Sequence, residues 1–296
     1  MILIAGGQFD VNLRALHERL TYRGIPFCSL LVGPNQTPNL RIDIQGNRLE
    51  VNDSEISPTA CFIRHDVFLH QASDRKRAQT SALNWFHAVR GWAVSQPSVR
   101  VFNRHSYLRE NNKVQNLLLA QAHGLSIPDT VVVNDLSNLD ATAEAMVHKP
   151  VAGGEYTGLV SELRQSPALD YPRFIQPRLQ RPEMRIYRIG PALMAFWLYS
   201  SELDYRRTQD VEIVHTAVPH TIGNDLIRLL DHLELDFAAA DFMADEEGAL
   251  HFLEVNTQPM FAAFDRATHG KLCDAIIDGL FYRGGHCKKK GMPLTT

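Results

Sequence analysis

Near the C-terminal end of the chain stands HFLEVNTQP, residues 251–259. Side chains alternate along a strand, so Glu254 and Asn256 share one face while Leu253 and Val255 take the other. Two hard oxygen donors at the edge of an apolar strand suit a divalent cation such as Mg²⁺. A further carboxylate lies upstream. In DFAAADFMADEEGALHFLEVN, residues 236–256, two strand patterns flank Glu246–Gly248, a hairpin signal. Folding about that turn sets Asp241 opposite Leu253 or Glu254, depending on turn type. Asp241, Glu254 and Asn256 can then converge. Two carboxylates and an amide leave Mg²⁺ room for waters and substrate phosphates.

Phosphates need cations and backbone N–H groups. Lys149 ends a strand pattern directly before PVAGGEYTG, where Gly153 and Gly154 let the backbone approach a phosphate closely. Lys113 stands in the first turns of a predicted helix, in ENNKVQ. Arg185, in MRIYRIG, lies two residues from Glu183 and on the same strand face. A guanidinium can hold phosphate or carboxylate through two parallel hydrogen bonds. Arg206, in LDYRR with Asp204, is the other candidate for the place where negative charge develops. The 13 histidines include no HxxxH or HExxH spacing on a predicted helix, so His65 and His148 read as structural.

These residues must be held by elements, and the pattern supplies them. Residues 1–105 alternate strand and helix: MILIAG, a helix capped by Asp10 with Val11, Leu13, Leu16 and Leu20, then FCSLLVG. RIDIQGNRLEV reads as a hairpin about Gln45–Asn47, ACFIR as a strand, and VRVFN as a short strand. Between the last two, Ala78, Ala82, Trp85, Val89 and Trp92 mark one face of a long helix. The first strand is not followed by GxGxxG, which disfavours the usual dinucleotide fold. Val114, Leu117, Leu118 and Gln121–Ala122 stripe a bridging helix that Gly124 stops. TVVVND, MVHKP and RFIQPRL follow as strands. MRIYRIG and ALMAFWLYS are joined at Gly190-Pro191. Ile222, Leu226, Leu229, Leu230 and Leu233 form a helical stripe, and a last helix lies around 270–283.

Composition limits the function classes. The chain has 296 residues, 45% hydrophobic and 21% charged, with formal net charge −3. That is an ordinary globular balance with ample length for a core. It gives no global reason to expect nucleic acid or an anionic membrane as partner. KKK at 288–290 reads as a solvated tail, and no apolar stretch approaches a membrane span. The four cysteines show no CxxC spacing, so neither a disulfide framework nor a zinc site is indicated, and a cytoplasmic setting is the expectation.

In order, a lysine on a helix, a lysine before a glycine loop, a strand with Gln176, an arginine strand and then Asp…Glu-x-Asn resemble the ATP-grasp superfamily over roughly residues 100–265. The resemblance implies an α/β (α+β) ATP-grasp fold that holds ATP between two halves. It implies an N-terminal pre-ATP-grasp domain over 1–105, a bridging helix and mobile lid over 106–180, a core over 181–285 and a tail over 286–296. By position Asp241, Glu254 and Asn256 would hold two Mg²⁺ ions and Lys113 and Lys149 the phosphates. FIQPRL, with Gln176 and Leu179, resembles the hinge that holds the adenine edge. Pro177 stands where many members have a glutamate, which leaves Gln176 or backbone carbonyls to serve the adenine amine. CFIRHDVF, KVQNLLLAQAHGLSIPDTVVVND, PEMRIYRIG and the Asp204-Tyr205-Arg206 motif resemble the microviridin-type (graspetide) maturases, which crosslink ribosomal precursor peptides. TQPMFAAFD departs from their usual Gly-Gln continuation, and FAAFD resembles the glutamate-ligating branch. The implied function is ADP-forming joining of a carboxylate to an amine or hydroxyl, on a peptide or a small carboxylate. A non-catalytic nucleotide-binding subunit is the reading outside enzymes, and a homodimer is compatible with either.

Overall fold

The apolar run at the N-terminus becomes strand β1 (Ile2–Gly7) in the computed structural model of the chain, which describes residues 1–35, 37–66, 74–106, 112–137, 145–152, 156–163, 168–203 and 210–282. Helix α1 (Val11–Tyr22) starts where the Asp10 carboxylate accepts the Asn12 N–H, and leads to β2 (Phe27–Val32). A small antiparallel sheet follows: β3 (Leu40–Asp43), β4 (Arg48–Val51) and β5 (Ser54–Ile56). The expected hairpin is its first pair, and β5 extends it. Next come β6 (Ala60–Ile63), α2 (Arg75–Ser95), capped by Asp74, and β7 (Arg100–Val101). The order β2-β1-β6-β7 is parallel throughout. On α2 the buried stripe is Phe86, Val89, Arg90 and Ala93, while Trp85 and Trp92 are half-buried. The expected face is therefore turned by about one residue.

Helix α3 (Lys113–Ala122) bridges to the second unit and ends as expected at Gly124, where φ is +92°. It buries Leu117 and Ala120, whereas Leu118 is 62% exposed and leaves the predicted stripe. The second unit contains β8 (Val131–Asp135), β9 (Met146–Pro150), β10 (Gly158–Leu159), the short α4 (Val160–Leu163) and β11 (Ala168–Pro177). Its antiparallel order is β10-β9-β11-β8.

The third unit is an antiparallel sheet of order β14-β13-β12-β15-β16. Its strands are β12 (Gln180–Ile189), β13 (Ala192–Tyr199), β14 (Glu212–Thr216), β15 (Phe237–Ala244) and β16 (Leu250–Asn256). Helix α5 (His220–His232) precedes β15, and α6 (Ala262–Ala267) and α7 (Lys271–Phe281) close the described chain.

This sheet is buried on both faces. One face, with Met184, Ile186, Ala240, Phe242, Phe252 and Val255, packs against Leu117 and Ala120 of α3 and Leu226, Leu229 and Leu230 of α5. The other face is divided. Tyr187 and Ile189 of β12 and Phe237 and Ala239 of β15 join Ile2, Ile4, Leu13, Leu16, Phe264, Leu272 and Ile276 in one apolar cluster. Further along the same face of the same strands stand Arg185, Glu183 and Asp241. The apolar half seats the N-terminal unit and the polar half is left for chemistry.

Candidate functional site

The β15–β16 hairpin contains an irregularity that decides the site. Phe242 pairs with Phe252 and Asp241 pairs with Glu254, so Leu253 is an extra residue on β16. Plain alternation from buried Phe252 would send Glu254 to the helix-covered face. The bulge re-aims the strand, so that Phe252 and Val255 both enter the core while Glu254 joins Asp241. Of the two registers open to the sequence, the structure takes Asp241 opposite Glu254. Sequence reasoning assigned the correct face to Glu254 and Asn256 but missed the bulge.

Asp241 is 4% exposed and accepts two parallel hydrogen bonds from Arg185, Nε at 2.6 Å and Nη2 at 2.8 Å. Asn256 donates Nδ2 to Asp241 Oδ2 at 3.3 Å. Arg185 also lies 3.8 Å from Glu183 and stacks over the Phe264 ring at 5.3 Å. Glu254 pairs with Lys113 Nζ at 2.9 Å. Glu183 Oε2 lies 3.4 Å from Arg181 Nη1, and Arg181 donates its other amino group to the Leu203 carbonyl at 2.9 Å. Sequence reasoning missed Arg181; its only signal was a cation two residues before Glu183.

Burial pushes the Glu183 carboxyl up to about 7, with Asp241 adding to the rise and Arg185, Arg181 and Lys149 opposing it. Burial also raises the Asp241 carboxyl against the pull of Arg185. Burial works the same way on Glu254, yet Lys113, Lys149 and Arg185 together outweigh it and hold that carboxyl below its ordinary value.

Lys149 reaches the site from the second unit. It pairs across the sheet with Phe174, which belongs to the core shared with β12 and β15, so both face that core. Burial lowers the Lys149 pKa, and the charges of Glu254, Glu183 and Asp241 work against that fall. His148, on the opposite face, lies 3.2 Å from Arg173 Nη1 and packs over Gly158. Gln176 is buried and donates to Thr130 Oγ1 at 3.0 Å, and Leu179 is half-buried in the link to β12. Gly153, Gly154, Asp204 and Arg206 lie outside the described residues.

The site thus joins Lys113, Lys149, Arg181 and Arg185 to Glu183, Asp241 and Glu254. Among the described residues no group of three or more His, Cys, Asp or Glu side chains forms a closed metal cage. Two carboxylates and an amide instead fit a hard cation that keeps waters and takes phosphate oxygens.

The segment after Asn256 is fixed by the N-terminal unit, which sequence reasoning also missed. Asn103 donates to the Phe237 carbonyl at 2.7 Å and to the Thr257 carbonyl at 3.3 Å. The His65 N–H donates to Gln258 Oε1, and Arg64 to the Pro259 carbonyl at 3.0 Å. Asn12 Oδ1 accepts the Phe261 and Ala262 N–H groups. Arg64 pairs with Asp10 at 2.7 Å, both fully buried. His65 packs edge-on against Phe86.

No family model matches the chain, and no curated protein matches it in sequence. Solved structures do match along nearly its whole length. The ATP-grasp ligase PsnB complexed with minimal precursor, Mg and ADP is 21% identical, with TM-score 0.73, over 94% of this chain and 97% of that one. A RiPP-associated ATP-grasp ligase of Chryseobacterium gregarium, in complex with ADP and a leader and core peptide, is 19% identical, with TM-score 0.73, over 96% and 97%. D-alanyl-alanine synthetase A of Vibrio cholerae is 12% identical, with TM-score 0.60, over 95% and 98%. The chain has the ATP-grasp fold.

Proposed function

We propose that the protein is an ATP- and Mg²⁺-dependent, ADP-forming ligase that joins a carboxylate to an amine or hydroxyl, as a side-chain ester or amide crosslink in a ribosomal precursor peptide. The observation that carries this reading is the meeting of Asp241, Glu254, Asn256 and Arg185 on one half-face, with Lys113 of α3 paired to Glu254, in a fold that matches peptide-bound ligases over 94–96% of the chain. Asp241, Glu254 and Asn256 would hold Mg²⁺, Lys113 and Lys149 the phosphates, and Gln176 and Leu179 the adenine side. Bound there, Mg²⁺ would neutralise phosphate charge and align the γ-phosphoryl group. We extend the phosphate loop to Gly153 and Gly154 and the acceptor side to Asp204 and Arg206.

A substrate carboxylate oxygen attacks the γ-phosphorus and ADP leaves. The amine or hydroxyl then attacks the carbonyl of the acyl phosphate, its proton passes to a base, and phosphate leaves. Arg185, fixed by Asp241 and Phe264, stabilises the charge that develops without having to reorganise. The second unit, bringing Lys149, excludes water from the acyl phosphate. We keep 1–105, 106–180 and 181–285 as the domain division, with 286–296 as tail. We place the protein in the cytoplasm, where the free thiols of Cys28, Cys61 and Cys273 would persist. Among the described residues no helix is long and apolar enough to cross a membrane.

A small-molecule carboxylate–amine ligase is the second reading, favoured by the likeness to D-alanyl-alanine synthetase A. A non-catalytic subunit fits less well, because the two carboxylates and the amide are intact. Incubation with ATP, Mg²⁺ and a candidate precursor peptide separates these readings. Peptide lighter by one water per bond, with ADP and phosphate, is expected. Release of AMP would sink the acyl-phosphate mechanism, and ADP with unmodified peptide would favour the small-molecule ligase.

A further inference from the structure

Lys113 is the first residue of α3, whose N-cap Asn112 accepts the Gln115 N–H at 3.0 Å. A cation there opposes the helix dipole, which favours anions at N-termini. It breaks a local rule, and such breaks gather where function needs them. Its ammonium lies 2.9 Å from Glu254 Oε2, with side chains 20% and 27% exposed. The companion pair differs in kind. Arg185 holds Asp241 through two parallel bonds, at side-chain exposures of 11% and 5%, under the Phe264 ring. One pair is single and half-open; the other is double and more enclosed, leaving Asp241 only the lone pairs that Arg185 does not take for a cation.

From this contrast, and resting on the ligase reading above, we infer that Lys113 is an exchangeable counter-ion that occupies the metal side of Glu254 until a polyphosphate draws it away. Glu254 cannot give the same oxygen fully to Lys113 and to a divalent cation, because both demand close approach of positive charge. A nucleotide resolves the conflict by offering Lys113 a second anion. Metal and nucleotide then bind synergistically, and the nucleotide-free protein holds Mg²⁺ weakly. The arrangement keeps Glu254 charged and positioned before loading. It also keeps a divalent ion from settling in the site without its phosphate partner.

The test measures Mn²⁺ binding by electron paramagnetic resonance, with and without ADP, and ADP binding by calorimetry. Wild-type protein is expected to bind Mn²⁺ at least tenfold more tightly with ADP than without it. In Lys113→Met, nucleotide-free Mn²⁺ affinity should rise about tenfold and ADP affinity should fall, so that the synergy nearly vanishes. Lys113→Gln should repeat this with a polar side chain in case Met perturbs folding, and Lys113→Arg should keep the synergy. Unchanged synergy in both neutral variants, or wild-type Mn²⁺ binding that ignores ADP, would overturn the inference alone. Failure of wild-type protein to bind ADP with any divalent ion would instead overturn the ligase reading.

Discussion

Glu254 is more exposed than Asp241 and is ion-paired to one cation, Lys113, so its carboxylate can be removed without stranding a buried partner. Glu254→Ala is expected to abolish turnover while thermal unfolding stays close to wild type; activity surviving in that variant would remove Glu254 from the metal site. Lys149 differs in that three carboxylates act on it. Lys149→Ala should weaken ATP binding by about 1.5–3 kcal/mol, the range for a lost charge-assisted hydrogen bond, as read by calorimetry. Much of this was legible from residue types. A carboxylate pair with an amide at strand spacing and a lysine before a glycine loop each carry their chemistry in the sequence. Arg181, at the start of β12, and Asn103, in a turn, do not, because such an arginine or asparagine gains meaning only from the distant carbonyls it reaches.

The elements show where periodicity informs and where it stops. Strand alternation on β12 separated Glu183 and Arg185 from Met184 and Ile186, because from Glu183 to Ile189 that strand pairs without a break against both neighbours, its one irregularity against β15 falling before Glu183. On β16 the alternation breaks at Leu253, since a bulge depends on the partner strand and leaves no local mark. Helix stripes were legible to within one position, and Leu118 was misplaced because an apolar side chain on a helix edge has no obligation to be buried. The link from the N-terminal unit to residues 257–262 was invisible for the same reason as Asn103: its partners lie almost 200 residues apart, as in Arg64 with Pro259. That link has a direct test. Arg64→Met would leave the Asp10 carboxylate buried without its cation, and denaturant unfolding should report a loss of about 3–5 kcal/mol. A loss below 1 kcal/mol would mean that Arg64, with its bond to the Pro259 carbonyl, is not a principal tie between the units.

Across the whole molecule, buried thiols set the behaviour in alkali. Burial pushes the Cys61 thiol from near 9 up to about 12, against a small pull from Arg104. The folded chain therefore keeps this proton when the unfolded chain releases it. The stability this contributes is complete below pH 9 and lost between pH 9 and 12, at roughly 1.4 kcal/mol per pH unit. Burial shifts Cys273 in the same direction, whereas the lowered Lys149 pKa works the opposite way as pH climbs. Urea midpoints from pH 8 to 11 should thus fall less steeply for Cys61→Ala than for wild type. Parallel curves would show that Cys61 does not carry the effect.

One feature of the fold concerns time rather than energy. Ile2 and Ile4 of β1 share their apolar cluster with Leu272, Cys273, Ile276 and Ile277 of α7, and Arg19 of α1 pairs with Asp274. The ribosome makes Ile4 268 residues before Leu272. At ordinary elongation rates that is an interval of roughly 15–50 s. Throughout it, the emerging N-terminal sheet can settle α2 on one face but lacks α7 and the five-stranded sheet on the other. A nascent chain halted before α7 would display a greasy, half-built layer, so this protein's yield in a cell should depend on what shields that layer while translation runs to its end.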